Sequence, residues 1–516
     1  MADAKISALT NLTAADPTND MIPIVDVSDT PPASGNTKRI SINNILSSSP
    51  TASGALTVTG KVTANTNIDI WRGLLNDGTS TGVGATALAA TTAGATGNTA
   101  LGYQAMYQAT TGASNVAVGS SALSAAAMTG SSNVAVGADA GRNVTTGSGN
   151  TFIGPAAGYS ASGITGATNT GIGQDTLRNL SSGSDNIAIG RLAGNLITSG
   201  SQSCLLGTAA GRNITTGLYN IGIGLEAIGN SATTTTGSDN IALGRSAMFS
   251  AGTISGADNI GIGQSTFRNL TSGANNIALG VNAANLTTTG GNNVAIGNRA
   301  GERNLGANDT IAIGQDALRF NTVANNIAIG GNAMGANTTG TNNTAVGRGA
   351  LQAVVTTSNN TALGYLAGNA TTGGSNTAIG ANALALATGG AGNVAVGELA
   401  MGNGITTGDY NTSIGRASGY VLTGGSSNTF IGTDAGVNTT TGSSNIAIGR
   451  GVNMSAAGAS FELAIGSATY YVATNGLATT YYANANGGAV LPPAGSAGFM
   501  RVRLNGTFVR IAVYND

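Results

Sequence analysis

The stretch Asn276-Ile277-Ala278-Leu279-Gly280 is one copy of a pentapeptide that recurs along most of the chain. Read as Asn, apolar or Thr, small, aliphatic, Gly, it returns with its glycine at 84, 102, 119, 137, 154, 173, 190, 207, 224, 244, 263, 280, 297, 314, 330, 347, 364, 380, 397, 415, 432, 449 and 466. The intervals run from 16 to 20 residues and are most often 17. A fixed period of this size means one supersecondary unit stacked on copies of itself.

Strand side chains alternate, so the second and fourth residues of each copy point to one side and the third to the other. The fourth is always Ile, Val or Leu, as in Val118, Ile189, Leu243, Ile313 and Ile448, which predicts that this position forms the core. The second is Ile or Val but also Thr (Thr99, Thr361, Thr377), which places it nearer the edge of a coil. The third is usually Ala, Gly or Ser, with Phe152 and Phe430 as exceptions, and predicts close approach of a second layer or a neighbouring chain.

Three residues after the glycine stands another small residue, followed by a large apolar one or Gly, as in Ala317-Leu318, Ala333-Met334 and Ala193-Gly194. This reads as a second inward-facing segment. Polar residues between the two segments, such as Arg191, Arg245, Gln315-Asp316 and Glu398, mark a solvent corner. The return is often Thr-Thr-Gly, as at 145–147, 288–290 and 371–373, where the glycine is expected to supply a positive φ. Gly in every copy and Asn in most, with β-branched residues at period two, would make poor helices. The fold class is therefore all-β: a parallel β-solenoid, or β-roll, of about 23 coils. At about 4.8 Å per coil the rod would be on the order of 110 Å long.

In such a rod the leading asparagines, among them Asn98, Asn115, Asn133, Asn186, Asn276, Asn376 and Asn445, fall one above another. Each amide can donate and accept, so a ladder would satisfy groups that are expensive to bury unpaired. Ser80, Ser203, Thr310 and Glu462 replace the asparagine, and Ser80 and Glu462 stand at the two ends, where capping repeats are expected. Residues 169–196 and 259–286 are near-duplicates, as growth by block duplication would leave.

The flanks differ in character. Residues 1–50 read as an N-terminal attachment module with strand-like runs at Met21–Val27 and Thr37–Ile42. Residues 51–79 are a linker and lead-in to the shaft, with Trp71 as a plug for the first coil; 80–466 are the repeat shaft. Residues 467–516 form a cap or tip, with strands around Asn505-Gly506, a strong hairpin signal.

Composition narrows the chemistry. The chain has 516 residues, 82 of them Gly, with 8% charged residues and a formal net charge of −1. Near neutrality removes the electrostatic footprint of a general nucleic-acid binder. No apolar run is long enough to insert as a membrane helix. With no His and a single Cys, Ser-His-Asp and Cys-His catalysis and the usual zinc sites are excluded, and no intrachain disulfide can form. Cys204 reads as a buried small apolar side chain. Asp139, Asp175, Asp316 and Asp434 fall at or near the solvent corner without clustering, so no catalytic residue, metal ligand or cofactor is assigned.

The repeat Asn-Ile-Ala-Ile-Gly, followed by Ala-Leu or Ala-Gly and Thr-Thr-Gly, resembles the repeats of bacteriophage tail-fibre and related virion fibre proteins. It is also similar to the β-roll head of trimeric autotransporter adhesins, with coils of the type Asn-Ser-Val-Ala-Ile-Gly. Lys5–Leu9, Met21–Val27 and Thr37–Leu46 resemble N-terminal modules of phage tail proteins, and Gly498–Gly506 resembles phage structural-protein ends. The resemblance implies a homotrimeric fibre, joined to tail or baseplate proteins through its N-terminus and meeting a host polysaccharide or protein receptor at its far end. The adhesin family would bring an export signal and a C-terminal membrane barrel; neither is read here, which favours a virion over a cell-surface or secreted location. Tyr470, Tyr471, Tyr481, Tyr482, Arg501, Arg503 and Arg510 are candidate tip contacts, because aromatics and Arg are favoured in binding patches.

Overall fold

The computed structural model describes residues 79–467, apart from 85, 90–93 and 230–233, and beyond them the backbone of four strands. The N-terminal module, Trp71 and the Asn505-Gly506 turn lie outside the described residues. The shaft is a parallel β-solenoid of 23 short strands, β1 (Thr81–Val83) through β23 (Glu462–Gly466). Each strand pairs in parallel with the next, and the register follows the pentapeptide residue for residue. Ile277 of β12 (Ile277–Leu279) stands opposite Ile260 on one side and Val294 on the other. After β23 the direction reverses: β24 (Tyr471–Asn475) runs antiparallel along β23, and β25 (Thr479–Tyr482) along β24. A separate antiparallel pair, β26 (Gly498–Leu504) and β27 (Thr507–Val513), closes with Leu504 opposite Thr507.

The glycines act in two ways. The glycine that ends each strand sits at positive φ, near +126° at Gly280, and a Cβ there would stand 2.7 Å from the carbonyl oxygen of Gly297 one coil on. The glycine of Thr-Thr-Gly, expected to supply a positive φ, does not. A Cβ on Gly147 would lie 2.3 Å from the Gly166 oxygen, so glycine is required there by stacking distance. Left-handed conformations fall instead on residues such as Asn275, beside the ladder asparagine, Asn282 at the corner and Leu177 in the core. Asn tolerates this geometry through local hydrogen bonding, whereas at Leu177 packing imposes it.

The expected core row is inverted. The third residue of the pentapeptide points inward: Ala117, Ala135, Ala278 and Ala328 are fully buried. The second and fourth point outward, and Ile187 and Ile189 remain 43% and 38% exposed. A coil of 17 residues encloses a thin interior, which the small third residue shares with the facing wall, Ala193 or Leu177 for example. The small residue thus admits the coil's own second wall. Volumes are matched between neighbouring coils, as close packing demands. Buried Phe152 lies against Gly141 and Gly158, and Phe430 against Gly419 and Gly436; where the strand carries Gly261, Phe267 fills the space.

Candidate functional site

Three longitudinal features run along the shaft, and the first is the asparagine row. The Asn115 backbone N–H donates to Asn98 Oδ1 at 2.8 Å and its Nδ2 donates to the same oxygen at 3.1 Å. Nδ2 also donates to the Gly130 carbonyl at 3.0 Å, tying the ladder to the Thr-Thr-Gly side of the coil. Asn133, Asn186 and Asn276 repeat the pattern in full. Asn376 and Asn445 each receive the preceding amide oxygen at their backbone N–H and give Nδ2 to a carbonyl. At one end Ser80 Oγ accepts from the Asn98 N–H. At the other, Glu462 turns its carboxylate back to the N–H and hydroxyl of Ser455. All these amides are fully or nearly buried, so they serve the rod and present nothing to a ligand.

A second row was missed from sequence. A Thr of the return, in Thr-Thr-Gly or Thr-Ser-Gly, donates its hydroxyl to a carbonyl one coil on, as in Thr198 to Thr215 O at 3.1 Å, Thr271 to Thr288 O at 3.0 Å and Thr338 to Val355 O at 3.0 Å; at 371–373 the second Thr, Thr372, does so to Thr388 O. The 17-residue recurrence of this Thr was the available signal.

The third feature is the outward face of the strands. The second positions mix Ile, Val and Thr, with Cys204 and Leu463 once each, while the fourth positions are Ile, Val or Leu throughout β1–β23. Leu101, Ile189, Ile262, Ile329 and Ile448 are among the exposed ones. Twenty-three strands at about 4.8 Å make an apolar ribbon about 105 Å long. Soluble monomers rarely expose contiguous apolar patches above a few hundred Å². Cys204 belongs to this ribbon: it is a half-buried free cysteine in a second position, outside the coil core where a buried thiol was expected.

The four aspartates singled out above are held in ion pairs. Asp139 meets Arg142 at 3.2 Å, Asp175 meets Arg178 at 3.6 Å, and Asp434 meets Arg416 at 3.4 Å. Asp316, expected at a solvent corner, is buried, with Arg299 at 2.8 Å and Arg319 at 3.7 Å; Arg319 also meets Glu302 at 2.7 Å. Here neighbouring coils bring together charges that the sequence reading kept apart. Among the described residues no group of three His, Cys, Asp or Glu side chains could hold a metal, and no helix is long and apolar enough to cross a membrane.

Of the candidate tip residues, Tyr471 stands opposite Gly466 and Tyr482, Tyr481 opposite Val472, Arg503 opposite Phe508, and Arg501 opposite Arg510 in backbone register. Tyr470 lies outside the described residues, as do the side chains of the others. No family model, no curated protein and no solved structure matches the chain.

Proposed function

We propose that the chain is a structural fibre subunit of a phage particle, a shaft that assembles as a homotrimer and presents a distal tip to the host. The observation that supports this most is the apolar ribbon on an otherwise uninterrupted solenoid. Its rows repeat with the spacing of the strands along the whole array. A partner that covers such a ribbon over its full length must carry the same repeat, and a second copy of this chain is the simplest such object. Burial against two copies would remove far more apolar surface than a standard interface of about 1,600 Å².

In this reading residues 1–50 engage tail or baseplate proteins and residues 467–516 reach the receptor, with affinity raised by valency. The repeat's resemblance to virion fibres supplies the particle. The test is the solution mass of the purified full chain together with its micrograph, followed by fractionation of infected cultures. A trimeric rod that copurifies with virions is expected. A compact particle would sink the rod, a monomer would sink the ribbon interface, and a chain found only on cells would establish the runner-up, a surface adhesin or matrix filament.

A further inference from the structure

The shaft also carries a lateral depression that neither the ladder nor the ribbon uses. Its widest part, about 520 Å³, is lined by Leu286, Arg303, Leu305, Phe320 and Thr338. It adjoins a second hollow through Phe320 and Ala336, which continues to Asn332 and Gln352, and these two amides also border a third beside Arg348 and Tyr365. The result is a groove running along several coils.

Its chemistry is unlike the rest of the shaft. Charged residues are 8% of the chain, yet Arg299, Glu302, Arg303, Asp309, Asp316 and Arg319 fall within 21 consecutive positions. Arg319 is held by Glu302 and Asp316, and Arg299 by Asp316. Arg303 is exposed and has no carboxylate partner among the described residues; its guanidinium is stacked 5.6 Å from the Phe320 ring centroid. A second stack on the shaft, Arg142 and Arg178 about Tyr159, differs because each arginine there has its own aspartate. Stacking orients the Arg303 fork while leaving its N–H edges free, the arrangement suited to a carboxylate or sulfate. Arg348, exposed beside the exposed Tyr365, repeats the cation and aromatic three coils further, about 14 Å along the axis. Between them lie Gly335 and Ala336, bordered by the Asn332 and Gln352 amides and by the paired Arg319 and Asp316, whose carboxylate is held by Arg299 and Arg319.

We propose that this groove binds an extended acidic polysaccharide, with its anionic groups on Arg303 and Arg348 and its hydroxyls on Asn332 and Gln352. Open hollows floored by Gly335 and Ala336, with amides and a hydroxyl beside the arginines, suit a solvated sugar chain, whereas a protein partner would call for well-packed, desolvated pockets around its anchors. The proposal concerns the shaft itself and stands whether the fibre belongs to a virion or to a cell.

Calorimetry on the full chain at two salt concentrations tests it, using a polygalacturonate oligosaccharide, a heparin oligosaccharide, a neutral maltodextrin of equal length and a polyglutamate peptide. Saturable binding of at least one acidic saccharide is expected, weakened about tenfold or more by Arg303→Ala and by Arg348→Ala. Arg303→Lys should restore only part of the affinity, because it returns the charge without the fork. Arg450→Ala, an exposed arginine remote in sequence, should leave binding unchanged. The proposal is overturned if neither acidic saccharide binds, if Arg450→Ala weakens binding as much as Arg303→Ala, or if maltodextrin or polyglutamate binds as tightly through the same arginines. Circular dichroism of each variant verifies the fold, and because Arg303 and Arg348 are both surface residues on different coils, either one alone decides the outcome.

Discussion

The coils around Phe152 and the coils from Thr287 to Asn337 share one backbone but are filled in opposite ways. Around Phe152 the interior is apolar: in the regular coils the seventh residue after the repeat glycine is a buried aliphatic, as at Val144, Leu180, Ile197 and Ile214, and in the longer coil of Phe152 itself Ile164 is buried. Between 287 and 337 the same position is Thr287, Asn304, Asn321 and Asn337, all buried. Their bonds form an irregular inner network: Asn304 Nδ2 donates to Thr310 Oγ1 at 2.8 Å, and Asn326 and Asn337 both donate to Asn321 Oδ1. The side-chain oxygens of Thr287, Asn304 and Asn337 find no partner among the described residues. Strand register is nevertheless the same in both regions. Pairing of the strands therefore sets the rod, and the filling of each coil is a local variable that a surface groove can be built upon.

The largest break in that comparison should come from Phe152→Ala. The preceding coil presents Gly141 to the ring, the coil's own second wall presents Gly158 and the next strand presents Gly171, and glycines have no side chains with which to collapse into the space. A loss of about 3–5 kcal/mol is expected, as for other aromatic truncations in cores. Contacts in a solenoid reach only neighbouring coils, so the loss should appear in hydrogen exchange of the amides near Thr151–Ile153 and fade within a few coils. A change below about 1 kcal/mol would show that the filling is loose even where it looks matched.

Next in size is Asn276→Ala, which removes the acceptor of the Asn293 N–H and Nδ2 and the donor to Gly290 O. Each buried group left unpaired costs about 1–3 kcal/mol. Asn276→Ser should cost less, because Ser203 already stands in the row and its Oγ accepts the Asn220 N–H at 3.4 Å. Equal losses for the two variants in thermal or chemical melts would mean that the amide donor, rather than the acceptor, carries the ladder.

How far the sequence revealed this structure depended on which physical constraint each residue reports. Period, strand position and the asparagine row were readable, because a polar residue recurring at one phase has to be paired within the stack. The inward row was not: the invariant Ile, Val or Leu suggested a core, yet apolar residues also face outward when a surface awaits a partner, and nothing in alternation alone distinguishes the two. The matched volumes were legible in principle, since Phe152 lies between Gly141 and Gly158 in the repeat frame, but only after the inward row is known. The groove was hidden for another reason. Arg303, Phe320 and Gln352 come together through coil stacking, and no sequence motif joins them.

A smaller effect, of opposite sign, is expected from restoring the regular filling to the polar region. Asn304→Val with Thr310→Asn replaces an unpaired buried amide oxygen by an aliphatic side chain and returns an asparagine to the ladder, where its Oδ1 would face the Asn326 N–H as Asn326 Oδ1 now faces that of Asn343. A gain of about 1–2 kcal/mol follows from the unsatisfied group removed. If the pair destabilises the shaft, the inner network is itself a structural element of this region.

The smallest effect distinguishes the ion pairs of the two kinds of coil. In the polar region Arg299 and Asp316 meet at 2.8 Å, with the aspartate side chain only 10% exposed. Beside Phe430 the pair Arg416 and Asp434 also joins successive coils, but at 3.4 Å with 55% and 38% exposure. Solvent screens the second pair and its long side chain is ordered for little gain, so Arg416→Ala should change stability by about 0.5 kcal/mol or less. Arg299→Ala should cost more, since it leaves Asp316 poorly hydrated with only the longer Arg319 contact. Raising the salt concentration should erase the Arg416 effect and leave most of the Arg299 effect, because a Debye length shorter than about 10 Å screens exposed charges far more than buried ones. Equal salt sensitivity in the two melting series would place Asp316 in solvent and remove the electrostatic difference between the two regions.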